Sequence, residues 1–212
     1  MHSFPAATVG SHPAPQTTGT ISGTVTLEPP PPPRRTANRY SAASSGPKTI
    51  QELPALVYLR GTITGSPPPG YVARPEMIQS DTAFAPPLVA VMVGGTVSFP
   101  NHDTFFHNVF SYSSPKRFDL GRYPAGESKD DVFDKPGVIQ VSCEVHEIMR
   151  GAIVVTENPY HAIVAEDRTF SIDGVPPGEY TLVVWHADHD DFEQTVTVTD
   201  GGDTRVEVEL RR

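Results

Sequence analysis

Short runs of alternating apolar and polar residues recur along the chain from Ile21 onward, and Gly, Pro or Asp bounds each run. This two-residue period predicts β-strands, because successive side chains of a strand point to opposite faces of a sheet. The predicted strands are ISGTVTL (21–27) and ALVYLRG (55–61); EMIQS (76–80), PLVAVMVG (87–94), GTVSFPN (95–101), FHNVFSY (106–112), ESKDDVF (127–133), VIQVSC (138–143) and AIVVTE (152–157); and TFSIDG (169–174), YTLVVWH (180–186), FEQTVTVTD (192–200) and TRVEVEL (204–210). No run with a helical period exceeds about two turns, so the sequence predicts an all-β fold.

The middle group has about seven short strands, the number expected of a Greek-key β-sandwich. The last group alternates more strictly, so we expect one face of its sheet to meet water. Two stretches show no period. Residues 1–19 are expected to be disordered, and residues 28–49 are expected to form a proline-rich loop that contains the run from Pro29 to Pro33.

Composition supports this fold and limits the classes of partner. The 212 residues include 23 Pro and 17 Gly, which favour turns. A formal net charge of -9 argues against nucleic acid or an anionic membrane as partner. The sequence shows no apolar run long enough to span a membrane and no signal-peptide pattern among its first twenty residues.

The single cysteine, Cys143, lies in a cluster that indicates metal chemistry. One cysteine excludes an intramolecular disulfide, a tetrathiolate zinc or iron–sulfur site and a binuclear copper centre with two thiolates. Cys143, His146 and Met149 follow at three-residue steps between two predicted strands, so a tight loop can turn all three toward one point. A thiolate, an imidazole and a thioether suit copper, whereas zinc prefers a closed tetrahedral shell without methionine.

A trigonal copper site needs a second imidazole, and His107 in FHNVFSY is the obvious candidate. The predicted ligands of one copper ion are therefore His107, Cys143, His146 and Met149, with Met149 as a weak axial ligand. The alternative is structural: Cys143 and Met149 would fill the core, and the histidines would be hydrogen-bonded or surface groups. The joint spacing favours the metal site.

The segment from Glu76 to Glu157 resembles the cupredoxins, the blue-copper proteins, and most closely their amicyanin-like and plastocyanin-like exported members. The motifs that carry the resemblance are F-A-P-P from Phe84, VMVGGTVSFPNHD, HNVFS, KRFDLG, Pro136-Gly137 and C-x2-H-x2-M. The resemblance implies that the four residues hold one copper ion, which passes single electrons between redox protein partners. It also implies an exported protein, periplasmic or extracellular, that is not an enzyme.

The resemblance further implies groups around the ligands. Asn108 matches a position whose side chain braces the copper loop. Its usual partner is a Ser or Thr after the cysteine, but Glu144 stands there, and Ser142 is the other candidate partner. Glu147 and Ile148 replace the usual proline and aromatic residue, which makes the rim around the site more acidic. With the net negative charge, a basic or neutral partner is expected.

The flanking segments resemble a transthyretin-like or carboxypeptidase-regulatory-like sandwich split in two, chiefly through DGVPPGEYTL (173–182). This implies a discontinuous domain over residues 20–71 and 158–212, with a cupredoxin domain over residues 72–157 inserted into it or packed beside it. A single enlarged sandwich with extra strands is the alternative.

Three other interpretations stay open. The segment from His186 to Asp191 holds two imidazoles and three carboxylates, yet acidic hairpin loops are common between strands, so a loop is favoured over a second metal site. A copper-storage or copper-delivery protein, which would use the same ligands, is the second choice after an electron carrier. A metal-free adhesion or carbohydrate-binding sandwich would leave Cys143 merely buried.

Enzyme activity is not expected, since G-x-S-x-G, Walker, H-E-x-x-H and H-x-H motifs are absent from the sequence.

Overall fold

The computed structural model describes residues 17–31 and 51–212, and every regular element within them is a β-strand. The predicted all-β fold is therefore confirmed. Most of the expected disordered segment 1–19 and of the proline-rich loop 28–49 lies outside the described residues. Among the described residues there is no helix long and apolar enough to cross a membrane.

The described residues form sixteen strands: β1 (Gly19–Leu27), β2 (Leu56–Leu59), β3 (Ile78–Ser80), β4 (Ala83–Ala85), β5 (Leu88–Met92), β6 (Gly95–Pro100), β7 (His107–Ser111), β8 (Phe118–Tyr123), β9 (Ser128–Phe133), β10 (Gly137–Ser142), β11 (Arg150–Thr156), β12 (His161–Ile163), β13 (Thr169–Val175), β14 (Gly178–Trp185), β15 (Phe192–Val198) and β16 (Asp203–Leu210). The sequence pattern does not indicate β4, β8 or β12. β4 and β12 have three residues each, too few to show alternation. β8 contains Gly121 with a φ of +65°, a residue and a conformation typical of turns.

The central strands form a sandwich around one apolar core. One layer is the five-stranded sheet β5-β11-β10-β7-β8, and the other consists of the pairs β6-β9 and β3-β4. β10 runs antiparallel to β11, whereas β11 runs parallel to β5. The buried side chains between the layers are Met77, Phe84, Val89, Val91, Val97, Phe99, Val109, Tyr123, Phe133, Ile139, Val141, Cys143, Met149, Ile153 and Val155. Two of the predicted ligands, Cys143 and Met149, are thus part of this core.

Strands from both ends of the described chain form two further sheets, β13-β1-β16 and β12-β2-β14-β15. β1 pairs in parallel with β16 from Thr20 opposite Asp203 to Leu27 opposite Leu210. The two sheets share a second core, which includes Ile21, Val57, Phe170, Leu182 and Val206. The strands up to Leu59 therefore pair with strands from His161 onward, and the central sandwich lies between them in sequence.

A third apolar cluster joins the two sandwiches. Alternate residues of β5 face opposite ways: Val89 and Val91 lie in the central core, whereas Leu88 and Ala90 do not. The members of this junction cluster are Leu56, Leu88, Ala90, Ala152, Val154 and Trp185. Because β5 is buried on both faces, its sequence is a continuous apolar run instead of an alternation.

Candidate metal centre

The loop over residues 143–149 joins two antiparallel strands at one end of the five-stranded sheet. β10 ends at Ser142, β11 begins at Arg150, and these residues are the last pair of the ladder. His107 is the first residue of β7, which lies on the other side of β10. Since Phe110 of β7 stands opposite Ser142 in an antiparallel pair, the start of β7 lies beside the end of β10. The sheet thus brings His107 and the loop to the same end.

Three potential ligand atoms meet there. Nδ1 of His107 and Nδ1 of His146 are 3.2 Å apart, and Sγ of Cys143 lies 3.7 Å from the first and 4.0 Å from the second. A point in the plane of the three atoms is about 2.1 Å from each, within the range of about 2.0–2.3 Å that zinc bonds to nitrogen and sulfur span. Within the described part of the chain, this is the only group of three His, Cys, Asp or Glu side chains that could hold a metal ion together.

The buried ring of His107 is held in place by Asp103. Its Nε2 lies 2.7 Å from Oδ2 of the Asp103 carboxylate. An ionised carboxylate only accepts hydrogen bonds, so Nε2 carries the ring proton and Nδ1 presents a lone pair toward Cys143. The backbone amides of Asp81 and Thr82 donate to the same carboxylate at 2.7 and 3.1 Å. Asp103 therefore fixes both the orientation and the tautomer of the ring.

The electrostatics of the site favour the ligand forms of these groups. Burial alone would raise the pKa of Asp103, but hydrogen bonds from Thr82, His107 and Asp81 outweigh burial and lower this pKa. The pKa of His146 is lowered, first by burial and then by the neighbouring His107 ring. An ionised carboxylate and a neutral imidazole are the forms that support metal binding.

Asn108 braces the start of the loop. Its Oδ1 accepts a hydrogen bond from the backbone amide of Glu144 at 2.8 Å and lies 3.5 Å from Sγ of Cys143. The partner is therefore the main chain after the cysteine, so the brace does not need a Ser or Thr side chain at that position. The hydroxyl of Ser142, the other candidate partner, is not part of this hydrogen bond.

Met149 is fully buried in the same core as Cys143. Its backbone amide donates to the carbonyl oxygen of His146 at 3.0 Å, which closes the end of the loop. These contacts place the methionine at the foot of the loop. Its role as an axial ligand stays a prediction.

Phe105 covers both imidazoles. Its ring centroid is 5.0 Å from that of His107 and 5.4 Å from that of His146. Phe105 is 42% exposed and Val145 is 44% exposed, so exposed apolar side chains lie beside the half-buried ring of His146. On this side the three ligand atoms lie just beneath the protein surface.

Asp103 and Phe105 are residues that the sequence pattern does not single out. The spacing Asp103-x3-His107 is a signal that could have indicated the carboxylate, because ligating histidines usually donate their second N–H to a carboxylate, a carbonyl or water. Phe105 has no comparable signal. Its position depends on a turn in which the side chain of Asn101 donates to the Phe105 carbonyl oxygen at 2.9 Å.

Two other histidines also come together. The Nδ1 atoms of His186 and His189 are 2.8 Å apart, in the loop between β14 and β15. The sequence favours an ordinary acidic hairpin loop here, but the structure turns both imidazoles toward each other. His102 is exposed. His161 is half-buried, and its buried Nδ1 has no hydrogen-bond partner among the described residues.

One family model is similar to the C-terminal part of the chain. The family model of domain II of polysaccharide lyase family 4, a β-sandwich, matches residues 150–206. This range begins in β11 and ends within β16. No curated protein matches the sequence significantly.

Solved structures with partial similarity are cupredoxins and a related copper enzyme. An amicyanin variant in the reduced Cu(I) form is 22% identical, with a TM-score of 0.37 over 40% of this chain and 83% of its own. A purple cupredoxin from Nitrosopumilus maritimus is 24% identical, with a TM-score of 0.33 over 42% of this chain and 94% of its own. A copper-containing nitrite reductase from Thermus scotoductus SA-01 is 21% identical, with a TM-score of 0.38 over 63% of this chain and 28% of its own.

Proposed function

We propose that this protein is a mononuclear blue-copper protein of the cupredoxin type, which carries single electrons between redox partners. The observation that supports this most directly is the triangle formed by Sγ of Cys143 and the Nδ1 atoms of His107 and His146. One thiolate and two imidazoles around a trigonal position are the strong ligands of blue-copper sites. The ion would be a single copper, with Met149 as its weak axial ligand.

The donor set suits copper better than zinc. A structural zinc site needs four strong ligands, and a catalytic one needs three with an open position for water. Here the described residues offer three strong donors, and Phe105 covers the two imidazoles. Cys143 is only 4% exposed, so its thiolate is shielded from solvent. A shielded trigonal site with a soft sulfur ligand stabilises Cu(I) and accommodates Cu(II).

Copper, when bound, stores one electron by alternating between Cu(II) and Cu(I). The protein residues keep the ligands in one arrangement: Asp103 holds His107, and Asn108 holds the amide after Cys143. Ligands fixed at the ends of a sheet move little on a change of charge, so electron transfer requires little rearrangement. We propose that the electron leaves through His146, the half-buried ligand beside the exposed Val145 and Phe105.

The partner would be another redox protein with a basic or neutral docking surface. Glu144 and Glu147 are exposed on either side of His146, and the whole chain carries a net charge of -9. We propose that the protein is an electron carrier and not an enzyme. We place the protein outside the cytoplasm, in the periplasm or beyond, which fractionation of the host cell would test.

The flanking sandwich would position the copper domain. The pairing of β1 with β16 and of β2 with β14 supports a discontinuous domain over residues 20–71 and 158–212 around a cupredoxin domain over residues 72–157. The junction cluster around Trp185 would limit reorientation of one sandwich against the other.

The test is the absorption spectrum of the full chain after one equivalent of Cu(II). We expect an intense band near ~600 nm from thiolate-to-copper charge transfer, which disappears on one-electron reduction. Cys143→Ser should abolish the band, whereas the neighbouring Ser142→Ala should keep it. A folded wild-type protein that stays colourless would contradict the proposal and favour a metal-free sandwich. A blue protein that loses copper to a mild chelator within minutes would instead be a delivery protein.

A further inference from the structure

A second pair of histidines lies in the hairpin between β14 and β15. His186 directly follows β14 and is 7% exposed, and the amide of His189 approaches its carbonyl oxygen at 3.3 Å. This turn sets the two rings nearly perpendicular, with centroids 4.6 Å apart and an interplanar angle of 79°. The two Nδ1 atoms are 2.8 Å apart.

The hydrogen bonds around the pair determine where the ring protons are. The amide of Asp188 donates to Nδ1 of His186 at 3.2 Å, so this nitrogen is an acceptor. The carbonyl oxygen of Glu28 lies 3.0 Å from Nε2 of His189, and a carbonyl only accepts, so this Nε2 carries a proton. A neutral imidazole has one ring proton. In its neutral form, His189 therefore presents the lone pair of Nδ1 toward Nδ1 of His186, whose own lone pair accepts the amide proton of Asp188.

Two acceptor nitrogens at 2.8 Å repel each other, and a cation between them, either a proton or a metal ion, removes this repulsion. A metal ion would replace the Asp188 amide at Nδ1 of His186. Two nitrogens at this separation fit neighbouring positions around one ion at about 2.0 Å, with an angle of about 90° at the ion. That angle is the one between neighbouring ligands of a square-planar ion.

We propose that His186 and His189 form a second metal site, which binds Cu(II) through two Nδ1 atoms. Within the described residues no third His, Cys, Asp or Glu side chain reaches this pair, so water would complete the coordination. Asp188, Asp190 and Asp191 lie in the same hairpin and make it acidic, which favours a divalent cation. The site lacks a thiolate, so its copper would not be blue.

The location of the pair relates it to the first centre. A cavity of about 300 Å³ is lined on one side by Ala187 and Asp188 of the hairpin and on the other by Val141 and Ser142, which directly precede Cys143. Ala187 and Asp188, which lie between the two histidines in sequence, therefore border the same cavity as the strand that leads into the proposed blue-copper loop. This inference does not depend on the first centre, because the ligands are different residues.

The experiment is a Cu(II) titration of the full chain, followed by electron paramagnetic resonance and calorimetry. We expect two copper ions per chain, the second with a non-blue signal from nitrogen ligands. His189→Gln should remove the second ion and keep the blue band, whereas His102→Gln at an exposed histidine should keep both. Thermal unfolding of each variant confirms that it is folded.

A variant that lacks the first centre separates the two proposals. In His107→Ala/Cys143→Ser, one non-blue copper should remain, and adding His189→Gln should weaken its binding at least tenfold. Unchanged copper binding after His189→Gln would overturn the second site. The second site would also be overturned if the protein bound no second ion and nuclear magnetic resonance showed that His189 is doubly protonated at neutral pH.

Discussion

Nε2 of His107 and Oδ2 of Asp103 are 2.7 Å apart, and this hydrogen bond directs the other ring nitrogen of His107 toward Cys143. The carboxylate is also held by two backbone amides, from Asp81 and Thr82, so it cannot turn away when the site changes charge. A negative partner behind an imidazole increases the basicity of the nitrogen that faces the metal.

Replacing Asp103 should weaken copper binding. Asp103→Asn keeps an acceptor for the His107 N–H but removes the negative charge, so we expect Cu(II) affinity to fall by about 10–100-fold and the reduction potential to rise. Competition with a chelator and voltammetry measure the two effects. Asp134→Asn, at an exposed carboxylate, is the matched control. Equal affinity in Asp103→Asn and wild type would show that the charge has no such role.

Because Asn108 braces the loop, removing its side chain should lower the stability of the protein even though every proposed metal ligand is kept. Asn108→Ala leaves the amide of Glu144 without its acceptor at 2.8 Å, which should cost about 1–2 kcal/mol in the free energy of unfolding. Urea unfolding of the metal-free protein measures this difference. Ser142→Ala should change the same quantity by less than about 0.5 kcal/mol. A larger effect at Ser142 than at Asn108 would mean that the brace lies elsewhere.

The sequence predicts those parts of the fold and site that depend on local pattern. Alternation indicates long strands such as β16, and the three-residue steps from Cys143 to Met149 indicate a loop that closes on one point. His107 follows from chemistry, because the donor set is incomplete without a second imidazole.

The remaining features depend on contacts between distant segments. The carboxylate of Asp103 reaches His107 only because residues 101–106 form a turn that is held by Asn101 and by the backbone amides of Asp81 and Thr82. The apolar run of β5 predicts a buried strand, but the second sandwich that covers its outer face is distant in sequence. The hairpin of His186 resembles an ordinary acidic turn, because the spacing alone does not determine which way two imidazoles face.

The junction between the sandwiches predicts a strong effect of one apolar truncation. Leu88 is fully buried in the cluster that contains Trp185, so Leu88→Ala should lower the free energy of unfolding by about 2–5 kcal/mol. Trp185 is the only tryptophan, so its fluorescence reports on this junction. Leu27→Ala, at a residue 38% exposed, should change stability by less than about 0.5 kcal/mol. Similar losses in both variants would argue against a tightly packed junction.

His161 predicts a specific pH dependence of stability. Burial lowers its pKa from 6.5 to about 4. The unfolded chain therefore takes up a proton near pH 6.5 that the folded chain does not take up until about pH 4, so stability falls as the pH drops through this window. The contribution lost between pH 7.5 and pH 5 should be about 1–2 kcal/mol.

Urea unfolding of the metal-free protein at these two pH values tests this prediction. His161→Phe keeps an aromatic ring beside Tyr71 but cannot titrate, so it should lose less stability than wild type on acidification. His102→Gln, at an exposed histidine, should behave as wild type does. The same pH dependence in His161→Phe and wild type would show that another group is responsible.

The acidic residues around His146 predict that the charge of the electron acceptor controls the rate of electron transfer. Glu147 is exposed next to this ligand, and the exposed Glu144 on the other side is 3.2 Å from Arg122. At low ionic strength, a cationic metal complex should therefore oxidise the reduced protein faster than an anionic complex of equal driving force. Stopped-flow loss of Cu(I) measures both rates.

Glu147→Lys should lower the ratio of the two rates several-fold, whereas Glu207→Lys, exposed on β16 of the flanking sandwich, should lower it much less. Salt near ~0.5 M should bring both ratios toward one, because screening shortens the range of the field to a few ångström. Equal effects of the two substitutions would mean that electrons do not leave the protein beside His146.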